Sequence, residues 1–219
     1  MMQDGDERWT LDNLSAHCGA ANTVVVTRDS MGEAVRIDVV NTDAPAAAAL
    51  LNNVENRSAA ILGSGGTTRA LAAALSTAGW QVKIVSRDLN RAHKLAEDLA
   101  LPGISAADAV ALADEEIGAL VNCTPVGMHG GPDPDGLPID RGILRNLPPA
   151  CVVADVVYNP LHTPLLKAAE EQGRTTISGL AMFTAQAAEQ FRLWTGHDAP
   201  ERLFERVARE TLEFRSRGT

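Results

Sequence analysis

The chain has 219 residues, 45% of them hydrophobic but only 4% aromatic, and a formal net charge of −9. That length allows one large domain or one domain plus a fragment, with a core built from Ala, Leu and Val, and the acidic balance argues against nucleic acid or an anionic membrane as main partner. The three cysteines, Cys18, Cys123 and Cys151, are too far apart for a metal pattern or a disulfide framework. The polar start Met1–Thr10 carries no secretory signal, and no apolar run reaches the ~20 residues of a membrane span; a reduced, cytoplasmic setting is the simplest reading.

Up to about Asn53 the pattern is that of a hairpin. Thr23–Val26 and Val35–Val40 are β-branched runs, with a turn at Ser30–Glu33 between them. No strand candidate precedes them. A lone hairpin is marginally stable in water, so its edges are expected to be mobile or covered by another chain.

From Ser58 strands and helices alternate. Strands are expected at Ala59–Leu62, Val82–Val85, Ala119–Val121, Cys151–Val157 and Thr175–Ile177. Helices are expected at Thr67–Ala78, Leu89–Ala100, Leu165–Gln172, Ala181–Thr195 and Pro200–Phe214. Such alternation implies an α/β fold, a Rossmann-type doubly wound parallel sheet covered on both faces. The Pro/Gly/Asp-rich stretch Gly127–Leu137 follows a strand and is a candidate active-site loop.

Gly63-Ser64-Gly65-Gly66-Thr67 sits between the first of these strands and the first helix. Glycines let the backbone turn sharply and approach a pyrophosphate, and the helix start offers free N–H groups and partial positive charge. The bland alternative is an ordinary glycine-rich turn, but the flanking strand and helix favour a dinucleotide. The end of the second strand selects which one. An acid there would bind the ribose 2′-hydroxyl of NAD; this chain has Ser86, followed by Arg87 and Arg91, whose guanidinium forks suit a 2′-phosphate. NADP is therefore expected, although both arginines could be solvated surface charges and Asp88 adds local repulsion.

Seven ordered segments between about Ser15 and Phe214 carry a family resemblance. They are Gly19-Ala20-Ala21-Asn22-Thr23, Asn41-Thr42-Asp43, the glycine loop, Ser86-Arg87-Asp88, Asn122–Met128, Asp155–Leu165 with Tyr158-Asn159-Pro160 inside it, and Gly179-Leu180-Ala181-Met182 with Gln186-Ala187. In this order they resemble the shikimate/quinate dehydrogenase family, whose reaction is the NADP-dependent interconversion of 3-dehydroshikimate and shikimate in aromatic amino acid biosynthesis.

The resemblance implies roles. Asp43 would be the catalytic-site carboxylate, and Asn22, Asp43, Tyr158 and Gln186 would bind substrate. Thr124, Val126, Met128, Tyr158, Gly179 and Met182 would line the cofactor's path. Each has a plainer alternative: Asp43 a helix N-cap, Asn22 a turn residue, Met182 core packing, Gln186 helix surface.

The same resemblance implies a missing part. Residues 1–55 would be a remnant of the family's substrate domain, a hairpin and linking helix, and residues 56–219 the NADP-binding domain. The family's Ser-x-Ser carboxylate site and catalytic-lysine motif are absent; the lysines present are Lys83, Lys94 and Lys167. The expectation is weak or no activity alone. The substrate part would then come from a partner chain, a homodimer or a larger dehydroquinase–dehydrogenase polypeptide. The alternative is a non-catalytic NADP-binding module.

Overall fold

The computed structural model describes residues 6–114 and 116–217. In chain order the elements are β1 (Trp9–Leu11), α1 (Asn13–Cys18), β2 (Thr23–Arg28), β3 (Ala34–Val40), α2 (Asp43–Ala49), β4 (Ser58–Leu62), α3 (Gly66–Thr77), β5 (Gln81–Val85) and α4 (Leu89–Leu99). Then come β6 (Ile104–Ala107), a 3₁₀ turn (Val110–Asp114), β7 (Ala119–Asn122), α5 (Arg141–Asn146), β8 (Val152–Asp155), α6 (Pro164–Glu170), β9 (Thr176–Ile177), α7 (Gly179–Thr195) and α8 (Glu201–Arg217).

The larger sheet is parallel throughout, in the order β6-β5-β4-β7-β8-β9. Its strands alternate between two apolar layers, as side chains on a pleated strand must. Ala59, Ile61, Val82, Ile84 and Val121 point to one layer with Leu71 and Leu75 of α3 and Leu95 of α4. Ala60, Leu62, Val85, Leu120 and Val153 point to the other, with Leu144 of α5 and Leu165 of α6. Burial on both faces is why these strands are nearly continuous apolar runs. The doubly wound expectation holds. The strand order reverses between β4 and β7, and the loops after these two strands open the crevice where open α/β sheets bind ligands.

The smaller sheet corrects the sequence reading. The hairpin is there, with Val24 opposite Val39 and Val26 opposite Ile37, but it is not alone. β1 pairs in parallel with β3, Trp9 opposite Ile37 and Leu11 opposite Val39, so β3 is the central strand. β1 is only three residues long, too short for periodicity to register. The free side of β2 is also tied in part: the Trp194 Nε1–H donates to the Val24 carbonyl (3.1 Å) and the Gln190 amide to Thr23 Oγ1 (3.1 Å). Both donors lie on α7, so the far end of the chain anchors the hairpin.

One apolar layer joins the two sheets. Cys18 from α1 and Ala44, Ala46 and Ala47 from α2 are buried in the same cluster as Leu71 and Leu75. Alanine on α2 lets that helix approach α3 closely, which explains how so few aromatic residues suffice. α1, β6, the 3₁₀ turn and α5 also escape the sequence reading, and the strand expected over Cys151–Val157 is limited to Val152–Asp155. No helix among the described residues is long and apolar enough to cross a membrane.

Candidate active site

A cavity of about 750 Å³ lies over the C-terminal ends of β4 and β5. Of the expected cofactor residues it is lined by Gly63, Ser64, Gly65, Ser86, Arg87, Arg91, Thr124 and Val126. Leu62, Cys123, Pro125, Pro132, Asp133 and Leu137 complete much of its wall, so the Gly127–Leu137 loop does border it.

Gly63 has φ +119°, a conformation that favours glycine, and a Cβ there would lie 3.2 Å from the Cys123 carbonyl oxygen and 3.2 Å from Thr124 Cγ2. The bare backbone thus lets the loops after β4 and β7 close on each other. Gly65 is the N-cap of α3 and supplies no side-chain cap; a Cβ at Gly65 or Gly66 would meet nothing within 4 Å. Gly65 and Gly66 are exposed, so the start of α3 is open to the surface at these two residues.

Other helices are treated differently. Asp12, Asp88, Asp140 and Thr163 each cap their own helix through a side-chain oxygen. The cap residues of α2, α3 and α7 make no side-chain bond, and these helices begin at the expected site residues Asp43, Gly66 and Gly179; in α2 the Asn41 side-chain oxygen takes the Ala44 N–H instead. An uncapped, accessible helix start is a ready anion site, and α3 meets the demands of a pyrophosphate: glycine approach, free donors and partial positive charge.

At the other end of the cavity Arg87 is exposed, and among the described residues no hydrogen bond or ion pair holds its guanidinium. Arg91 lies with its Nε 3.4 Å from Asp88 Oδ2. Ser86 Oγ accepts from the Asp88 N–H at 3.4 Å.

The loop after β7 is held from below. Asn122 is fully buried. Its Oδ1 accepts from the Thr124 N–H (3.0 Å) and hydroxyl (2.7 Å), and its Nδ2 donates to the Val126 carbonyl (3.3 Å) and to Asp155 Oδ1 (2.9 Å). Asp155 also accepts from the Val157 N–H and from the Thr163 hydroxyl, at 3.0 and 2.7 Å. Thr163 in turn caps α6. Burial pushes the Asp155 carboxyl up to about 6, against the pull of the hydrogen bonds from Thr163, Val157 and Asn122. Burial, then the Asp155 charge, also push the Cys123 thiol up, so it is no thiolate nucleophile. The hydroxyl of Thr124 is spent inside this network, since it also accepts from the Val126 N–H (3.2 Å). Its methyl, beside Gly63, faces the loop closure.

The expected substrate residues lie on other elements. Asn22 and Asp43 come together: the Asn22 amide donates to Asp43 Oδ1 (2.6 Å) and to Thr42 Oγ1 (3.0 Å), while its carbonyl accepts from the Thr42 N–H (2.9 Å). Asn41 joins the same two segments by donating to the Ala20 carbonyl (2.9 Å) and accepting from the Ala44 N–H (3.0 Å). Asp43 is not the helix cap of the plainer alternative. Thr42 holds that position, and Asp43 is the first residue of α2, with its carboxylate free to turn toward Asn22. Burial pushes its carboxyl above the ordinary value, and the Asn22 hydrogen bond opposes that.

Tyr158 stacks on Phe183 of α7, ring centroids 4.5 Å apart. A Cβ on Gly179 would fall on the Val156 carbonyl, so only glycine lets α7 start this close to the segment carrying Tyr158. Met182 is 6% exposed and packs in the core with Val121 and Ala154; it does not line the cavity, and neither do Gly66, Thr67, Met128, Tyr158 or Gly179. Gln186 is half-buried one turn after Met182. The sequence reading does not single out Phe183 and Gln190. Their places on α7, one turn before and one turn after Gln186, are the helical signal that points to them.

A family model described as "Shikimate 5'-dehydrogenase C-terminal domain" matches residues 179–209, and one described as "NADP oxidoreductase coenzyme F420-dependent" matches residues 58–123. The shikimate dehydrogenase (NADP(+)) of Methanosarcina barkeri is 33% identical over 214 residues, 92% of this chain and 72% of that protein. That of Methanosarcina acetivorans is 37% identical over the same shares. The shikimate 5-dehydrogenase of Thermus thermophilus, solved in complex with NADP(H) and shikimate, superposes with a TM-score of 0.77 at 32% identity, covering 93% of this chain and 72% of that one. The quinate dehydrogenase of Corynebacterium glutamicum, in complex with NAD, superposes with a TM-score of 0.75 at 31% identity, over 90% and 70%. With a third of its residues identical across nearly three-quarters of such proteins, the chain belongs to the shikimate dehydrogenase family.

Proposed function

We propose that the chain binds NADP(H) in the cavity over β4 and β5 and serves the interconversion of 3-dehydroshikimate and shikimate. The observation that carries this is the uncapped start of α3, opening behind Gly63–Gly66 into a cavity with the unengaged Arg87 at its far end. Family membership supplies the substrate. We assign residues 1–55 to the substrate side and 56–219 to the cofactor side, with Asn22, Asp43, Tyr158 and Gln186 toward the substrate. Three thiols with no pairing support a reducing, cytoplasmic setting.

The dinucleotide, when bound, supplies or accepts the hydride. The chain's own residues do the rest. α3 and Arg87 hold its phosphates, and the Asn122–Asp155–Thr163 network keeps the loop after β7 in register beneath it. Both Asn22 amide N–H groups are taken by Asp43 and Thr42, so Asn22 holds the Asp43 carboxylate in place and leaves Asp43 Oδ2 as an acceptor for a substrate hydroxyl. Ketone reduction also needs a proton, and loss of a positioned general acid costs roughly 10²–10⁴-fold. Lys83, Lys94 and Lys167 belong to β5, α4 and α6, none of which carries Asn22, Asp43, Tyr158 or Gln186. Turnover by this chain alone is therefore expected to fall far below the ~10 s⁻¹ of an ordinary enzyme, with NADPH binding intact. Steady-state reduction of 3-dehydroshikimate, paired with calorimetric titration of NADPH, checks both. An ordinary turnover number would show that another side chain supplies the proton; absence of NADPH binding would remove the reading altogether.

A further inference from the structure

The end of the cavity that would take the adenosine ribose already contains an anion. Asp88 is the N-cap of α4, and its Oδ1 accepts from the N–H groups of Asn90 (3.1 Å) and Arg91 (3.3 Å). Its Oδ2 lies 3.4 Å from the Arg91 guanidinium. Asp88 and Arg91 both line the cavity and are both exposed, so the pair is open to whatever binds there. The donors that a 2′-phosphate would use at this point are the first-turn N–H groups of α4 and the Arg91 fork; Asp88 already takes the N–H groups of Asn90 and Arg91 and draws the Arg91 Nε to 3.4 Å. Arg87, by contrast, has no partner among the described residues.

We propose that Asp88 sets the margin between phosphorylated and unphosphorylated dinucleotide: it holds Arg91 and repels a 2′-phosphate, leaving Arg87 as the main discriminator. Its free oxygen can instead accept a hydrogen bond from an unmodified ribose hydroxyl. NADP(H) is still preferred, but by less than two arginines would give, and NAD(H) binds appreciably. The inference rests on the reading of this cavity as the dinucleotide site.

Asp88→Asn tests it with little risk to the fold, because asparagine caps a helix as well as aspartate does; Asp88→Ser is a second capping variant. NADPH and NADH are titrated by calorimetry into the unsubstituted chain, both capping variants, Arg91→Ala and the double variant that joins Asp88→Asn to Arg91→Ala. Removal of the charge is expected to tighten NADPH roughly three- to tenfold, and to leave NADH unchanged or slightly weaker. Arg91→Ala is expected to cost NADPH about twofold in the unsubstituted chain but roughly tenfold in the Asp88→Asn background, because the arginine is then released. An NADPH/NADH ratio that moves less than twofold in both capping variants would overturn the inference. So would an equal cost of Arg91→Ala in both backgrounds. If the unsubstituted chain binds neither dinucleotide, the cavity reading itself fails, and the inference fails with it.

Discussion

The two sheets of this molecule use similar residues to different ends. In the large sheet every residue of β7 and all but the first of β4 are buried, with helices on both faces. In the small sheet the cross-strand pairs place Trp9, Leu11, Val24, Val26, Ile37 and Val39 on one face, and none of them is buried; Val24 and Val26 remain 49% and 43% exposed. The other face holds Thr23, buried under α7 through Gln190. Burial on both sides makes the large sheet a rigid platform for loops that must be placed closely. The small sheet is fixed by β1, two α7 side chains and the polar ties around Asn22 and Asn41. The large sheet thus rests on packing on both faces, and the strands of the small sheet largely on hydrogen bonds.

Truncation should expose that contrast most strongly. Leu71→Ala, in the layer under β4, is expected to cost about 2–5 kcal/mol, because the site is closed on every side and a cavity remains. Val26→Thr, on the open face, is expected to stay within about 0.5 kcal/mol. Urea denaturation of the two variants measures both; comparable losses would mean that the small sheet's open face is packed in solution.

The second test concerns Asp155, the charged centre of the polar network within the well-packed region. Its folded value, about 6, stands above the ordinary 3.8. The folded state therefore holds the proton more tightly than the unfolded chain, and the associated stability is complete below about pH 4 and lost as the pH rises toward 6. The size is on the order of 3 kcal/mol. Asp155→Asn should remove this component of the pH slope, leaving a flatter profile than the parent between those limits. Denaturation curves across the range check it, and an unchanged slope would place the titrating group elsewhere.

Legibility in the sequence followed the same division. Ala59–Leu62, Val82–Val85 and the glycine loop were readable because burial on both faces leaves unbroken apolar runs, and the turn between strand and helix requires glycine. β1 was not readable: three residues show no period, and it joins a sheet only through the distant β3. α5 was hidden by its brevity behind the Pro-rich loop. At the site, family resemblance points to Asn22 and Asp43 as substrate residues, but their hydrogen bond is not legible in the sequence, since the two stand 21 positions apart and nothing local links them. Asp88 was seen as a source of repulsion, but its capture of Arg91 depends on cap geometry that residue types do not state. Tyr158 was expected; the Phe183 ring beneath it was not.

The most direct test of the cofactor side as the binding region is hydrogen exchange of the whole chain with and without saturating NADPH. Exchange slows where ligand or closed backbone removes opening events. Protection is expected to rise at residues 63–68, 86–91 and 122–126, and to stay unchanged at 23–40. No gain at 63–68, or a gain confined to 23–40, would contradict the placement of the dinucleotide over β4 and β5.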